Sequence, residues 1–278
     1  MNLQFIKDDI PASDIPCYED KCPSYLGFSQ HTHTRCEMIY VVSGKLINSY
    51  ANGIQILHPH QLIFIRSDDL HSTLPFDPSD IDIFTIGIPN ILMNNLLKCY
   101  ELDLNYFKVP KDPPLITLSN EEHTVFSRDL KLLTEMPNNK SRGYIMTNLL
   151  SNAVFYLLSH SDDTQSKLVL PNWFSDLTFK MTLPENFLIG LPKLREISNY
   201  SDEYINRCFK KYLSVTPTEY INNLRLDYAV ELLKKGDKNI LDVCLESGFK
   251  NEGHFYKLFK KRYNMSPRKF DKELMSDY

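Results

Sequence analysis

A twelve-residue pattern occurs twice near the C-terminal end, and this repeat constrains the fold more than any other feature of the sequence. Residues 209–220 (Phe-Lys-Lys-Tyr-Leu-Ser-Val-Thr-Pro-Thr-Glu-Tyr) align without a gap on residues 259–270 (Phe-Lys-Lys-Arg-Tyr-Asn-Met-Ser-Pro-Arg-Lys-Phe), 50 residues later. Such self-similarity is typical of two copies of one small helical unit. We therefore expect residues 194–274 to contain two such units that share a connecting element.

The connecting element is predicted to be a helix that begins after Thr216 and ends at Gly236. Thr216 and Glu219 have the spacing of a capping box, Pro217 suits the first helical position, and Gly236 supplies a stop. Apolar residues recur along this helix at three-to-four spacing, so that one stripe can pack on both flanking units. These residues are Ile221, Leu224, Tyr228, Ala229, Leu232 and Leu233.

Each flanking unit is predicted to consist of two helices joined by a tight turn. In the first unit, Ser201 caps the second helix. In the second unit, Gly248 ends the first helix, and Asn251 caps a second helix that reaches Tyr263. The predicted inward positions are Ile205, Cys208 and Phe209 in the first unit and Ile240, Val243, Cys244, Phe255, Leu258 and Phe259 in the second. The polar residues between them remain on the surface.

A short helix with polar residues in its first half and lysines in its second half suits the major groove of DNA. There side chains contact base edges while Lys and Arg contact phosphates. The alternative is a solvated helix face, which is the commoner meaning of a single charged run. The repetition of the same break and the same Phe-Lys-Lys favours DNA, and one rigid connecting helix would let the two units enter successive grooves.

The chain from about Pro171 to the end resembles the DNA-binding domain of the AraC/XylS transcription regulators. The residues that carry the resemblance are Phe209-Lys210-Lys211, Thr216-Pro217, Leu224-Arg225-Leu226, Ala229, Leu232, Leu233, Ile240, Ser247-Gly248-Phe249, Phe255, Phe259-Lys260 and Ser266-Pro267. It implies an all-α domain, residues 171–278, with two helix-turn-helix motifs joined by a long helix. The DNA contacts that it implies, together with the caps and lysines, are Ser201, Glu203, Asn206, Arg207, Lys210, Lys211, Asn251, Glu252, Gly253, Tyr256, Lys257 and Lys260.

The net charge of −4 would by itself argue against nucleic acid, but it is unevenly distributed. From Pro171 onward the chain has 18 Lys and Arg against 15 Asp and Glu, and before it 13 against 20. Charge at a binding face matters more than the total. The six cysteines lack zinc-type spacing, and with neither a signal peptide nor an apolar run near 18 residues the protein is expected to be cytoplasmic, with no membrane partner.

Short strands are predicted in the N-terminal part, at 33–42, 45–51, 54–58, 62–66 and 81–88. Asn52-Gly53 is a strong hairpin turn between the second and third of these. Several short strands with turns between them indicate a small barrel or sandwich. The fold class is therefore α+β, with a β-barrel and flanking helices in residues 1–165 and an all-α domain after a polar linker at 161–166.

A histidine motif lies within these strands: His31, His33 and Glu37, with His71 further on. If the segment is extended, period two places the first three on one face, which in a barrel can point inward. The arrangement is similar to the motifs of cupins, whose enzymes bind a divalent metal with such a set, and the ligand types suit Zn, Fe, Mn or Ni. The resemblance favours, over the metal, a sensor barrel that uses the same residues for a small molecule such as a sugar, with aromatic neighbours among Tyr25, Phe28, Tyr50, Phe64 and Phe84.

Three helices are predicted after Pro89, at 91–100, 119–135 and 141–160, the second opened by a capping box of Ser119 and Glu122. The third has more apolar surface than one side needs. This favours a homodimer or, equally, ordinary packing against the barrel.

The combined interpretation is a DNA-binding transcription regulator, an activator that responds to a small molecule such as a disaccharide and contacts RNA polymerase, without catalysis or an obligatory cofactor. It looks like the regulators of chitobiose and related β-glucoside operons, through Pro184-Glu-Asn-Phe187 and the first copy of the repeat. Two alternatives remain open: a metal-dependent enzyme or metal sensor fused to a DNA-binding domain, and a barrel that serves only as a dimerisation scaffold.

Overall fold

The computed structural model describes residues 18–20, 28–76, 81–108, 112–135, 140–160 and 170–276. The predicted linker at 161–166 and Tyr25 lie outside these residues. The strands are β1 (Tyr18–Asp20), β2 (Phe28–His31), β3 (Cys36–Ser43), β4 (Leu46–Tyr50), β5 (Gly53–Leu57), β6 (Gln61–Ile65), β7 (His71–Pro75), β8 (Asp82–Ile88) and β9 (Leu115–Thr117). The helices are α1 (Asn90–Lys98), α2 (Asn120–Glu135), α3 (Lys140–Ser159), α4 (Asn172–Met181), α5 (Pro184–Phe187), α6 (Leu191–Ser198), α7 (Asp202–Leu213), α8 (Pro217–Lys235), α9 (Ile240–Glu246), α10 (Glu252–Tyr263) and α11 (Pro267–Ser276), with a 3₁₀ turn at Leu104–Lys108.

The strands form two antiparallel sheets, ordered β1-β8-β3-β6-β9 and β2-β7-β4-β5. Alternate residues of β3 point to opposite sides: Met38 and Tyr40 pack with α1–α3, whereas Ile39 and Val41 join Leu46 and other interior side chains. The two sheets therefore face each other as a small barrel, and the α+β prediction is confirmed.

The β4–β5 hairpin differs from the prediction by one residue at its turn. The two-residue loop is Ala51–Asn52, and Gly53 already pairs with Tyr50 as the first residue of β5. Gly53 backs onto the Tyr50 ring and Ser175, where a Cβ would lie 3.6 Å and 3.8 Å from their hydroxyl oxygens. The shift slides the register by two residues, so that Asn48 lies opposite Gln55.

The helices of the second half pack directly on the barrel. The outer face of β4, β5 and β7 contributes Ile47, Ile54 and Leu74 to one apolar cluster with α4–α8. The interior residues of β3 and β6 belong to another cluster that includes α8–α11. Helix α4 contacts the β4–β5 hairpin, so it bridges the barrel and the helical domain. The predicted boundary between residues 165 and 171 stays a prediction.

The connecting helix begins and ends where the sequence places it. Thr216 accepts a hydrogen bond from the Glu219 N–H at 3.1 Å, and Glu219 Oε2 accepts one from the Thr216 N–H at 2.7 Å. Gly236 ends the helix in the left-handed conformation, with φ 68°. We call α8 the spacer helix from here on.

Candidate functional site

Helices α7 and α10, which we call the reading helices after the role that the sequence predicts for them, begin and end alike. The Ser201 hydroxyl accepts a hydrogen bond from the Tyr204 N–H at 3.3 Å, and Asn251 Oδ1 accepts one from the His254 N–H at 2.9 Å. Each helix ends at a left-handed residue, Ser214 with φ 54° and Asn264 with φ 56°. The repeat in the sequence is therefore a repeat in structure, in which Ser201 and Asn251 each satisfy one backbone N–H group at the start of their helix.

One face of each reading helix is buried and the other is exposed. Phe209 and Phe259, which open the two copies of the repeat, are fully buried. The predicted DNA contacts on the opposite face are exposed, namely Glu203, Asn206, Arg207, Lys210 and Lys211 on α7 and Glu252, Gly253, Lys257 and Lys260 on α10. Tyr256 differs from the prediction: it packs against the apolar cluster of the second unit, and its hydroxyl is buried without a hydrogen-bond partner.

The exposed side chains of α7 have defined local contacts. The Arg207 guanidinium lies over the Tyr204 ring, 5.1 Å from its centroid, which holds it above the helix surface. Asn206 Nδ2 donates to the Asp202 carbonyl at 2.8 Å, so its amide must rotate before it can contact a base. Lys210 Nζ lies 3.8 Å from Glu219 Oε2, a contact at the surface that a phosphate can replace.

Arg225 of the spacer helix lies at the junction of the two helix-turn-helix units. Its guanidinium donates to the carbonyls of Phe187 and Leu188 at 3.0 Å and 2.7 Å. Burial lowers the pKa of Arg225 from its usual range, although not enough to discharge it. Gly190 and Gly248 flank the guanidinium so closely that a Cβ would lie 2.7 Å and 2.9 Å from its nitrogens.

The second candidate site is the histidine cluster, which consists of His31, His33, Glu37 and His71. His33 Nε2 lies 3.0 Å from His71 Nε2, and Glu37 Oε2 lies 3.4 Å and 3.6 Å from these two nitrogens. The His31 ring centroid is 4.6 Å and 4.5 Å from those of His33 and His71. The structure thus brings together all four residues singled out in the sequence.

The reason for this convergence differs from the predicted one. Residues 31–37 do not form one extended strand: β2 ends at His31 in one sheet, and β3 begins at Cys36 in the other. The segment between them is a crossover that brings His33 across the barrel, anchored by its N–H on the Ser67 carbonyl at 3.2 Å. Period-two alternation fails here because the chain changes sheets.

Two members of the cluster have shifted pKa values, which favour a neutral imidazole at His71 and a carboxylate at Glu37. Burial, assisted by the neighbouring His31, lowers the pKa of His71 to about 3, despite the opposing effect of Glu37. Burial raises the pKa of Glu37, but the His33 side chain, with His71 and His31, more than offsets this and leaves it below its usual value. Neutral imidazole nitrogens and an ionised carboxylate are the forms that accept a cation or a donor group.

Two polar residues that were not predicted from the sequence fix the orientation of His71. Gln55 Nε2 donates to the Pro113 carbonyl at 2.8 Å, so Gln55 Oε1 must accept from Asn48 Nδ2 at 3.2 Å. Asn48 Oδ1 therefore faces His71 Nδ1, 3.1 Å away, and this nitrogen must carry the proton. The lone pair of His71 is on Nε2, which points into the cluster. The pairing of Asn48 with Gln55 follows from the hairpin register, which is the signal that could have revealed them.

The aromatic neighbours suggested for a ligand are placed differently. Phe64 and Phe84 belong to the cluster that packs the outside of the barrel against α1–α3, so they do not line its interior. Tyr50 is buried on the interior-facing side of β4, paired with His71 across the sheet. Burial and the carboxylate of Asp112 raise the pKa of its phenol above its usual value.

The sequence matches two family models, each over one part of the chain. Residues 16–139 match the AraC-like ligand binding domain, and residues 194–273 match a helix-turn-helix domain. The transcriptional activator RhaR of Klebsiella pneumoniae is 22% identical over 280 residues, covering 92% of this chain and 91% of that protein. The transcriptional regulator MtrA of Neisseria gonorrhoeae is 36% identical over 84 residues, or 30% of this chain and 28% of that protein. A solved structure of ToxT from Vibrio cholerae covers 92% of this chain and 97% of its own, with a TM-score of 0.39 and 14% identity.

Two exposed reading helices on a shared spacer, joined to a domain of the ligand-binding type, define a DNA-binding transcription regulator rather than an enzyme. The chain belongs to the AraC family of transcriptional regulators. Among the described residues, no helix is both long and apolar enough to cross a bilayer.

Proposed function

We propose that this protein is a transcription activator that binds DNA through α7 and α10 when a small molecule occupies its barrel. The observation that carries the proposal is the repeated reading helix, with a capping side chain at the same position, the same buried phenylalanine and an exposed polar face. Activation is proposed because RhaR, which aligns over most of the chain, is an activator. An activator also contacts RNA polymerase, which we include as a partner.

In this proposal each reading helix contacts both the bases and the phosphates of DNA, through different residues. Arg207 and Lys257 project from the middle of exposed faces and would contact base edges. Lys210, Lys211 and Lys260 follow toward the helix ends and would contact phosphates. The unit containing Gly253 has one side chain fewer for base contacts, so the first unit would supply more of the specificity.

Arg207→Ala is expected to weaken binding to a selected duplex by about 1 to 3 kcal/mol and to relax the base preference at one position. Lys260→Ala is expected to weaken binding to all duplexes and to flatten the dependence of affinity on salt. The full chain would first select its site from a random duplex pool, and fluorescence anisotropy would then compare both variants with the parent protein. An Arg207→Ala variant with unchanged affinity and preference would show that α7 does not read bases.

A single strand, β4, lies between the interior of the barrel and the spacer helix, and this arrangement supports a response to a ligand in the barrel. Asn48 of β4 points inward to His71, and the next residue, Ser49, is buried on the outer face. There it lies beside the hydroxyl of Tyr220, which is fully buried and donates to the Thr178 carbonyl at 3.1 Å. A ligand that favours one position of β4 would shift the population of domain arrangements that can bind DNA.

A sugar is the proposed class of effector, because the histidine cluster together with Asn48, Gln55 and Tyr50 offers several donors and acceptors for hydroxyl groups. In a thermal-shift assay of the full chain, a binding disaccharide at 100 times its dissociation constant is expected to stabilise the folded state by about 2.7 kcal/mol. A Gln55→Leu variant serves as the matched control and should lose this response. A panel of disaccharides that leaves the melting temperature unchanged would remove the sugar and leave the DNA-binding proposal intact.

A homodimer through α3 also forms part of the proposal. Tyr144 and Phe155 of α3 are 74% and 51% exposed. They are eleven residues, or about three helical turns, apart, so they lie on the same face of the helix. Exposed aromatic residues on one helix face are typical of a protein interface. Sedimentation of the full chain would report the oligomeric state.

A further inference from the structure

The spacing of the ligand atoms in the histidine cluster fits a single ion. One ligand atom from each of His31, His33 and His71 lies within 4.8 Å of the others. Metal–nitrogen bonds of about 2.0 to 2.1 Å place neighbouring ligand atoms about 2.9 to 3.4 Å apart. The observed 3.0 Å between His33 Nε2 and His71 Nε2, and 3.4 Å from His33 Nε2 to Glu37 Oε2, agree with ligands around one centre.

A second, independent observation is the state of the Glu37 carboxylate. Its Oε2 atom is buried and accepts no hydrogen bond, although it faces two imidazole nitrogens. A buried anionic oxygen without a partner is costly, whereas a cation at the centre of the cluster would satisfy it. Neutral imidazole is the form in which histidine binds metal ions.

The hydrogen-bond chain behind His71 is a third observation. Pro113, Gln55 and Asn48 together require the proton of His71 to be on Nδ1 and the lone pair on Nε2. A metal-binding histidine commonly donates its other ring N–H to an oxygen, which fixes the ring and its tautomer. Asn48 performs this role for His71.

From these observations we propose that His31, His33, Glu37 and His71 bind one divalent transition-metal ion, with Asn48 and Gln55 as positioning residues. Imidazole and carboxylate ligands suit zinc, manganese, iron and nickel. The inference rests on the proposed function in one respect, that occupancy of the barrel regulates DNA binding. The ion would join β3 in one sheet to β7 in the other, and through Asn48 it would fix β4, whose outer face meets Tyr220.

The test measures metal uptake by the full chain, independently of DNA. Protein stripped with a chelator would be titrated calorimetrically with Zn²⁺, and the bound metal counted after gel filtration. Uptake of Co²⁺ would be followed by its visible absorption. The parent protein and His58→Ala, which removes an exposed histidine outside the cluster, are expected to bind one ion per chain. Glu37→Gln and His33→Ala are expected to lose at least tenfold in affinity.

The positioning role of Asn48 is tested separately. Asn48→Leu is expected to weaken metal binding by about 10- to 100-fold. Asn48→Asp, which keeps the acceptor for His71 Nδ1 but loses the donor to Gln55 Oε1, is expected to recover part of the affinity. Circular dichroism and melting temperatures verify that each variant is folded. Because the His33 side chain is 21% exposed, His33→Ala is expected to remain folded.

Two outcomes would overturn the inference: a parent protein that binds no stoichiometric metal, or equal uptake by the parent, Glu37→Gln and His33→Ala. The same samples would be assayed on the selected duplex. Sequence-specific DNA binding without metal uptake would reject the ion and keep the regulator. Metal uptake without sequence-specific binding would reject the regulator and keep the ion site.

Discussion

Asp227→Ala is expected to lower the free energy of unfolding of the helical domain by about 3 to 5 kcal/mol. Asp227 Oδ1 accepts hydrogen bonds from the Arg262 guanidinium at 2.6 Å and from the Tyr263 hydroxyl at 3.2 Å. The side chains of Asp227 and Arg262 are only 2% and 3% exposed, so this pair has no access to bulk water. Removing the carboxylate leaves a buried, uncompensated guanidinium whose Nε and Nη1 already lack partners.

Urea denaturation of the full chain, followed by circular dichroism, measures this effect. Asp176→Ala is the matched control, because Asp176 forms an exposed pair with Lys180 that is worth at most about 1 kcal/mol. The double variant Asp227→Leu with Arg262→Met is expected to recover most of the loss, since apolar side chains can replace a buried ion pair. Equal effects of Asp227→Ala and Asp176→Ala would contradict the assigned role.

The Asp227–Arg262 pair has a functional consequence as well. Asp227 belongs to the spacer helix and Arg262 to the last turn of α10, so the pair fixes the second reading helix on the spacer. Its loss should therefore weaken DNA binding through orientation, with the exposed face of α10 unchanged. The packing of apolar side chains alone would allow several orientations of α10 on the spacer helix, whereas the charged hydrogen bond between Asp227 and Arg262 selects one.

Local features of the helical domain could be predicted from the sequence because they are decided within a few residues. Ser201, Thr216, Asn251 and Gly236 each act on the turn of helix next to them, and the structure places all four where expected. The Asp227–Arg262 pair was not predicted, because it joins residues 35 apart in the chain. Only the packing of α10 on α8 brings these two charges together.

In the barrel, by contrast, the positions of the site residues depend on contacts between segments that are distant in the sequence. The histidine motif named the right residues, but His33 reaches the cluster through a crossover between sheets, which alternation cannot reveal. Phe64 and Phe84 were predicted as possible neighbours of a ligand, but in the structure α1–α3 cover their side of the sheet. The side of a strand that becomes the interior depends on which elements pack on it, and a single sequence leaves that undetermined.

Gly190→Ala and Gly248→Ala are each expected to cost about 2 to 4 kcal/mol of stability and to weaken DNA binding. Both glycines have positive φ, 85° and 87°, which costs about 1 to 2 kcal/mol for a residue with a Cβ. The new methyl group would also meet the Arg225 guanidinium at 2.7 Å or 2.9 Å. Each methyl therefore weakens one bond of this charged donor, to the Leu188 carbonyl in Gly190→Ala and to the Phe187 carbonyl in Gly248→Ala, and such a bond is worth about 1.5 to 3 kcal/mol.

Gly253→Ala separates this effect from glycine replacement in general. Gly253 lies in the first turn of α10 without positive φ, and its added Cβ would meet only Asn251 Oδ1, at 3.3 Å. Its stability should stay within about 1 kcal/mol of the parent protein. Melting temperatures would be measured for all three variants. Anisotropy on the selected duplex would be measured for the two strained ones, because Gly253 itself lies on the proposed DNA-contacting face. If Gly248→Ala melted like Gly253→Ala, Arg225 would not hold the two units together. If only the two strained positions lose stability, and both of them also lose affinity, the spacing of the reading helices depends on one guanidinium between two glycines.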